Sequence, residues 1–253
     1  MAKIISVTSG KGGVGKTAFG VNLGTSLASK GHRVLFIDAD LGLANAHILC
    51  GTKPAKTLSQ YIEGRADIAD IVLDGPGGMK LISGGSGVAE MANLDDKGRQ
   101  KILQAVDSLR PWCDVIIIDT AAGISCSVTD FVKMSDEAVV VCTPNFAAIA
   151  DAYGIMKVVT ADGYAGKVRL VVNRVLAPEE ASAVYKKLQG CTGRFLSLDL
   201  ALLGYLPEDP SVNRAVQKRQ PFLVAFPEAV VSKYMRQLAE TVEKELIGSV
   251  KSS

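Results

Sequence analysis

The segment from Ser9 to Thr17 constrains the fold of this chain more than any other part of the sequence. It reads SGKGGVGKT and contains the phosphate-loop pattern G-x-x-x-x-G-K-[ST]. The apolar, β-branched run at residues 3–8 precedes it and is typical of a buried parallel strand. Residues 18–30 follow with helical spacing of apolar side chains and end at Gly31. A strand, a glycine-rich turn and a helix in this order predict a phosphate-binding loop at one edge of a sheet.

The chemistry of this loop is that of an anion site. Main-chain N–H groups at the start of a helix can surround phosphate, and Lys16 can reach the β- and γ-phosphates of a nucleotide. Lys11 is a second cation, which an ordinary phosphate loop lacks. We predict that it lies on the outer rim and reaches a nucleotide held by another subunit. The predicted phosphate-binding residues are Gly10, Lys11, Gly12, Gly13, Val14, Gly15, Lys16, Thr17 and Ala18.

Apolar runs alternate with helical patterns along the rest of the chain. This alternation predicts an α/β fold, a three-layer α-β-α sandwich with a mainly parallel twisted sheet. We expect one domain over residues 1–253. Further strands are predicted at 34–37, 80–82, 114–118, 138–142, 168–172 and 202–205, and helices at 94–109, 125–134, 147–160, 178–188 and about 228–247.

Acidic residues follow two of the predicted strands. Asp38 and Asp40 come after residues 34–37, and Asp119 comes after residues 115–118. Because carboxyl ends of parallel strands share one sheet edge with the phosphate loop, these carboxylates are candidates for a Mg²⁺ site. We expect Thr17 to ligate the metal directly and Asp38 and Asp119 to hold its waters, while Asp40 orients an attacking water. The simpler interpretation is that these aspartates only cap the helices that follow.

The composition of the chain excludes some partners and locations but does not identify a reaction. The formal net charge is +2, so no global field points to nucleic acid as a partner. The five cysteines are scattered and show no C-x-x-C spacing, which favours reduced thiols. No run of about twenty apolar residues and no leader pattern is present, and we expect a cytoplasmic protein.

The loop with Lys11, the run from Asp38 to Asn45 and the run from Asp119 to Ile124 resemble the deviant Walker A ATPases of the MinD/ParA type. The resemblance covers nearly the whole chain and implies a P-loop NTPase fold of the SIMIBI class, MinD-like. Softer similarities, at residues 75–80, 86–94, 151–153 and 203–207, point within that family to the flagellar regulators of the FlhG (FleN, YlxH) group.

The resemblance implies roles for individual residues, with ATP or ADP and Mg²⁺ as cofactors. Lys11, Lys16 and Asp40 would serve catalysis, and Lys11 would cross a dimer interface. Asn173 would contact adenine, and Pro207 and Asp209 would close over the base, although a turn is nearly as good an interpretation for the last two. Relatives often carry glutamate where this chain has Asn145, which puts a ribose contact in doubt. The switch residues would be Asp38, Asp40, Asn45, Asp119 and Gly123.

The function implied is an ATP-binding, slowly hydrolysing switch that dimerises with ATP and regulates flagellar number or placement. The partners implied are an FlhF-like GTPase, a flagellar switch protein or a transcription activator. Peripheral association with the inner face of the cell membrane is a family trait, but the apolar stripe at Met235, Leu238, Val242 and Leu246 favours core packing.

Two alternatives share the same core. A ParA-like partition ATPase would bind DNA through surface cations such as Arg214, Lys218 and Arg219, which the near-neutral net charge makes an unfavoured role. An iron–sulfur reductase would need paired cysteines near the dimer axis, and Cys126 is the one cysteine close to a motif.

Overall fold

A computed structural model describes residues 1–40, 44–85 and 96–247 of the chain. These residues form an eight-stranded sheet in the order β3-β4-β2-β5-β1-β6-β7-β8. All neighbouring pairs are parallel except β3 with β4, which is antiparallel. The strands are β1 (Lys3–Ser9), β2 (Val34–Ala39), β3 (Val72–Asp74), β4 (Lys80–Ile82), β5 (Val115–Ala122), β6 (Glu137–Cys142), β7 (Lys167–Val175) and β8 (Leu200–Pro207).

Helices cover both faces of the sheet, which confirms the predicted three-layer fold. On β5, Val115 and Ile117 face one core while Ile116 and Ile118 face the other, as the alternation of a strand buried on both sides requires. The helices are α1 (Lys16–Ser29), α2 (Ala46–Leu49), α3 (Leu58–Ile62), α4 (Asp96–Leu109), α5 (Cys126–Lys133), α6 (Phe146–Ala161), α7 (Pro178–Phe195), α8 (Pro210–Gln217), α9 (Phe222–Ala225) and α10 (Val230–Val242).

The terminal helix differs from its prediction at both ends. Helix α10 begins at Val230 and ends at Val242, and a π-helical turn, Glu243–Ile247, continues it. Met235, Leu238 and Val242 are buried, which confirms that the apolar stripe packs on the core. Among the described residues, no helix combines the length and the apolar character needed to cross a membrane.

Two carboxylates hold the π-helical turn against the amino-terminal edge of the sheet. Glu243 pairs with Lys30 at 2.6 Å and with the Nε2 of buried His32 at 2.9 Å. Glu245 pairs with Arg169 of β7 at 2.6 Å, and the same guanidinium lies 2.8 Å from the buried Glu137 of β6. The turn is therefore anchored to two separate parts of the fold.

The Glu137–Arg169 pair gives a stability prediction. Replacing Arg169 with methionine leaves Glu137 buried without its cation, and we expect a loss of about 3–5 kcal/mol in the free energy of unfolding. Burial already raises the pKa of Glu137 against the opposing charge of Arg169. Without that charge the folded state holds the proton to higher pH than the unfolded chain does, so the loss grows as pH rises. Urea unfolding at pH 5 and pH 8 measures both effects.

The matched control is the double substitution E137L/R169M, which removes both charges together. A buried ion pair replaced by apolar residues of similar volume is often neutral, so the double variant should regain most of the lost stability and show no extra pH dependence. A single R169M protein as stable as its parent would contradict the assignment.

Candidate active site

The phosphate loop connects β1 to α1 at the carboxyl-terminal edge of the sheet. Gly15 directly precedes Lys16, the first residue of α1, and has a φ of 92°, which favours glycine. A Cβ atom at Gly15 would lie 2.2 Å from the Nδ2 of Asn173. That Nδ2 donates to the main-chain oxygen of Val14 at 2.8 Å. Asn173, near the end of β7, therefore supports the phosphate loop through this hydrogen bond.

The other end of the loop rests on α6. A Cβ atom at Gly10 would lie 2.0 Å from the main-chain oxygen of Asp151 and 2.3 Å from its carbonyl carbon. These are backbone atoms of a helix interior, so they cannot move aside as a flexible side chain could. The position of the loop is thus fixed by a contact that only glycine permits.

Replacing Gly10 with alanine should displace the loop. We expect the affinity for ATP to fall by about tenfold or more, and the clash to cost about 1–3 kcal/mol of stability. Fluorescent-nucleotide titration and thermal unfolding measure the two effects. Gly154→Ala is the matched control, because an added Cβ at that position of α6 meets nothing within 4 Å. Parent-like ATP binding by G10A would refute the role of this contact.

Lys16 makes an ion pair inside the site. Its Nζ lies 3.4 Å from Oδ1 of Asp119, and both side chains are buried. Burial raises the pKa of Asp119, while the charge of Lys16 and a hydrogen bond from Thr17 oppose the rise. The second oxygen, Oδ2, is buried without a hydrogen-bond partner among the described residues. A buried carboxylate oxygen of this kind has capacity for a ligand.

Asp38, in β2, accepts hydrogen bonds from the main chain both before and after residues 41–43. One of its oxygens accepts from the N–H of Asp40 at 3.2 Å, and the other from the N–H groups of Asn45 and Ala46 at 2.9 Å. Burial, and then the nearby charge of Asp119, raises the pKa of Asp38 to about 7 despite these hydrogen bonds. Asp38 thus connects the strand end to the start of α2. Residues 41–43 of the predicted switch segment, and residues 86–94 used for the resemblance, lie outside the described residues.

The donor set fits a magnesium ion. It consists of the Thr17 hydroxyl and the carboxylates of Asp38 and Asp119, one of which has an unpartnered oxygen. Mg²⁺ prefers oxygen ligands and keeps several waters, so few protein ligands are needed. The register of the parallel strands β2 and β5 places Asp38 directly beside Asp119. A nearby divalent cation would favour the charged forms of both carboxyls.

The segment that follows β5, which contains the predicted switch residue Gly123, is hydrogen-bonded to the phosphate loop through the main chain. The N–H of Gly123 donates to the oxygen of Ser9 at 2.9 Å, and Gly123 has a φ of 102°. The Ser9 hydroxyl in turn donates to the main-chain oxygen of Lys11 at 2.9 Å. The side chain of Lys11 is exposed, in contrast to buried Lys16. The structure therefore places the two lysines of the loop in different environments, one inside the site and one at its surface.

An apolar pocket adjoins the phosphate site and has the predicted base-contacting residues in its lining. Asn173, Pro207 and Asp209 all line it. The Asp209 carboxylate accepts from the N–H groups of Ser211 and Val231 at 2.8 and 3.2 Å, so it caps α8 and holds the start of α10. Asn145 caps α6 by accepting from the N–H of Ala148 at 2.8 Å. The sequence analysis included Ser9 and Asp151 only as parts of longer segments, and it did not name Arg174 or Asn213, which also line the pocket.

The exposed Cys126 is the first residue of α5. Among the described residues, no group of three or more His, Cys, Asp or Glu side chains is arranged to hold a metal. The candidate magnesium site described above would rely instead on two carboxylates, a hydroxyl and water.

A glycine-rich loop between a central parallel strand and a helix, with a buried lysine and two strand-end aspartates, defines a P-loop nucleoside triphosphatase. Comparison with known proteins then identifies the family. A family model described as the CobQ/CobB/MinD/ParA nucleotide binding domain matches residues 5–222, so the chain belongs to this family. The family assignment confirms the predicted Mg²⁺-dependent ATPase of the MinD/ParA type, with ATP or ADP and Mg²⁺ as cofactors.

Two curated relatives have flagellar names. The chain is 39% identical over 241 residues to antiactivator FleN from Pseudomonas aeruginosa, covering 95% of this chain and 86% of that protein. It is 33% identical over 247 residues to the flagellum site-determining protein YlxH from Helicobacter pylori, covering 96% and 83%. These similarities confirm the predicted resemblance to the FleN/YlxH group.

Solved structures agree on the fold. The cell division ATPase MinD of Pyrococcus furiosus superposes with a TM-score of 0.82 at 26% identity, covering 96% of this chain and 99% of that one. MinD of Pyrococcus horikoshii, solved with Mg-ADP, gives a TM-score of 0.80 at 26% identity, covering 99% and 100%.

Proposed function

We propose that this ATPase is a nucleotide-controlled dimerisation switch that regulates flagellar number or placement. The observation that carries the switch is the exposed Lys11, which stands on the same loop as Lys16 but outside the buried phosphate site. A second exposed cation on a phosphate loop can neutralise the phosphates of a facing subunit. The flagellar role is supported by the names of the two relatives, FleN and YlxH.

A row of exposed apolar side chains supports dimerisation at the same edge. Ile124, Phe146 and Leu176 follow the carboxyl ends of β5, β6 and β7, and 57%, 75% and 83% of their surfaces are exposed. Lys11 follows β1, which lies between β5 and β6 in the sheet. Large apolar side chains grouped beside a charged site are typical of interaction surfaces. A second copy of the chain placed on this edge would cover them.

The roles proposed for the site residues follow from their positions. The loop amides and Lys16 hold and orient the triphosphate, with Thr17, Asp38 and Asp119 as the residues that would hold Mg²⁺. When bound, Mg²⁺ neutralises charge on the β- and γ-phosphate oxygens. Asp40 orients the attacking water, and Lys11 stabilises the transition state across the interface. Loss of the γ-phosphate would release Gly123 and Asn45 from the arrangement that holds the dimer.

Chromatography with light scattering tests the switch. The protein should elute as a monomer with ADP and as a dimer with ATP and Mg²⁺, and its turnover per molecule should rise with protein concentration. A monomer in ATP at every concentration would overturn the proposal. Counting flagella after deletion of the gene from its host tests the flagellar role, and an unchanged number and position would contradict it.

A DNA-partition role is the second candidate. Arg214 and Lys218 both lie 4.9 Å from the centre of the Phe226 ring, which holds two cations together at the C-terminal end of α8. Retention of the ATP-bound protein on plasmid DNA, lost with rising salt, would favour this role over the flagellar one. Regulation through an FlhF-like GTPase, a flagellar switch protein or a transcription activator, and a cytoplasmic or membrane-peripheral location, remain predictions.

A further inference from the structure

Helix α2 begins directly after the predicted switch segment and lies beside the phosphate pocket. Asn45, which precedes the helix, and Ile48 and Leu49 within it line that pocket together with residues of the phosphate loop. The helix is only four residues long. A helix this short is not stable alone, so contacts with the rest of the fold must place it. Those contacts determine how the end of the switch segment meets a bound triphosphate.

Two of these contacts hold the start and one side of α2. At its start, the Asp38 carboxylate accepts from the N–H groups of Asn45 and Ala46, as described above. On one side, Nδ1 of His47 lies 3.3 Å from Oγ of the buried Ser83, which follows β4. Both contacts attach α2 to the ends of strands. Neither contact reaches α8, the other helix beside the site.

A third contact joins the end of α2 to the end of α8. Each helix is followed by a residue in the left-handed backbone conformation, Gly51 with a φ of 66° and Arg219 with a φ of 52°. A Cβ atom at Gly51 would lie 2.8 Å from the main-chain oxygen of Arg219, which is closer than a real Cβ atom comes to an oxygen. The two helix ends therefore approach each other at a distance that only glycine permits.

The oxygen atom in this contact belongs to a fixed peptide group. The N–H of the same peptide, that of Gln220, donates to the main-chain oxygen of Ala215 at 3.2 Å, and the N–H of Arg219 donates to Val216 at 2.9 Å. These hydrogen bonds close the end of α8 in the usual way for a left-handed cap. The start of α8 is capped by Asp209. Because α8 is held at both ends, a clash at Gly51 would displace α2 rather than α8.

We propose that Gly51 is a positioning residue for ATP hydrolysis. Its close approach to Arg219 sets the distance between α2 and α8, and so the placement of Asn45 and of its hydrogen bond to Asp38 beside the triphosphate. The inference rests on the ATPase activity and not on dimerisation or the flagellar role. ATP binding depends mainly on the phosphate loop and Lys16. A displaced α2 should therefore slow the reaction more than it weakens binding.

Kinetics of a Gly51→Ala protein test the proposal. We expect kcat to fall by about tenfold or more, because a small misplacement beside the reacting groups has effects of that size. The dissociation constant of a fluorescent ATP analogue should change by less than about threefold. The difference between the two effects is the readout, since a general loss of folded protein would not slow the folded molecules alone. Thermal unfolding shows that the variant is folded at the assay temperature.

Gly64→Ala is the matched control. Gly64 follows α3 with a φ of 77°, and its N–H and the next one donate back to the last turn in the same pattern as those at the end of α2. An added Cβ at Gly64 meets nothing within 4 Å. The G64A protein thus carries the strain of a left-handed alanine without the clash. It should lose some thermal stability and keep the parent kcat.

Two further variants separate the clash from the strain and from the charge. Gly51→Asn should also slow hydrolysis, because asparagine tolerates the left-handed conformation but has a Cβ atom. Arg219→Gly keeps the carbonyl and removes the cation, so its kcat should match the parent value. Parent-like kcat in both Gly51 variants would overturn the proposal, as would an equal fall in G64A or in R219G. Light scattering of the same samples in ATP reports dimerisation separately, and a monomeric parent would leave the comparison of kcat values valid.

Discussion

A Lys11→Ala protein is expected to bind ATP, remain a monomer and hydrolyse ATP about 100-fold more slowly than the parent, or slower still. The reason is the location of the side chain: Lys11 is exposed on the rim, whereas Lys16 occupies the buried site next to Asp119. Removing Lys11 leaves the internal phosphate contacts intact. It removes only the positive charge that would contact the nucleotide of a second subunit. Nucleotide titration, light scattering and phosphate release measure the three properties separately.

Lys97→Ala provides the control for loss of one positive charge, because Lys97 is an exposed lysine on α4. It should dimerise and hydrolyse ATP like the parent. An equimolar mixture of K11A with a Lys16→Ala protein adds a sharper test, since only the K11A subunit then binds nucleotide and its partner supplies an intact Lys11. Recovery of activity in the mixture supports action in trans. A K11A protein that pairs and turns over like its parent would show that this lysine has no intermolecular role.

Asp40→Ala should have the opposite effect on assembly. We expect this variant to form the ATP-bound dimer and keep it, with phosphate release slowed by about 100-fold or more. The main-chain N–H of Asp40 donates to Asp38, and a side-chain substitution leaves that hydrogen bond in place. The change therefore removes a carboxylate without removing the anchor of the segment. Dimer lifetime after removal of free ATP is the direct measurement.

Asp40→Asn separates charge from shape in the same experiment. If the carboxylate orients water by accepting its proton, the amide should be almost as slow as alanine. Rapid decay of the D40A dimer to monomers, with phosphate released at the parent rate, would contradict the proposal that Asp40 orients the attacking water.

The central part of the fold could be predicted because its signals are local. All seven predicted strands are present, since each buried parallel strand is a short apolar, β-branched run. Strand β3 was missed because Val72–Asp74 is only three residues long and is defined by its antiparallel pairing with β4. Helix α7 extends to Phe195, beyond the predicted end at 188, because Thr192 packs inward and continues the buried face. The sequence analysis also did not predict helices α2, α3, α8 and α9, because they are short and depend on tertiary contacts.

The sequence predicts the site well where a motif determines the backbone conformation. It predicts the site less well where a side chain has several possible hydrogen-bond partners. The positions of Lys16 and Asp119 follow from one loop and one strand end. No local pattern indicates that Asn173 turns its amide towards Val14, or that Asp209 accepts from the N–H of Val231 in α10, 22 residues further along the chain. The close approach of Gly10 to the main chain of Asp151 is likewise a long-range contact. It involves atoms present in every residue type, so the sequence carries no trace of it except the glycine itself.

Helix α1 connects two chemically distinct ends of the molecule. Lys16 opens it at the phosphate site, and Lys30, just past its last residue, pairs with Glu243 in the π-helical turn. Fourteen residues of α-helix form a rod about 21 Å long. A small tilt of this rod when triphosphate fills the loop would therefore be transmitted to the opposite pole of the domain. A spectroscopic probe near residue 240 could follow nucleotide occupancy there without touching either the ligand or the proposed dimerisation surface.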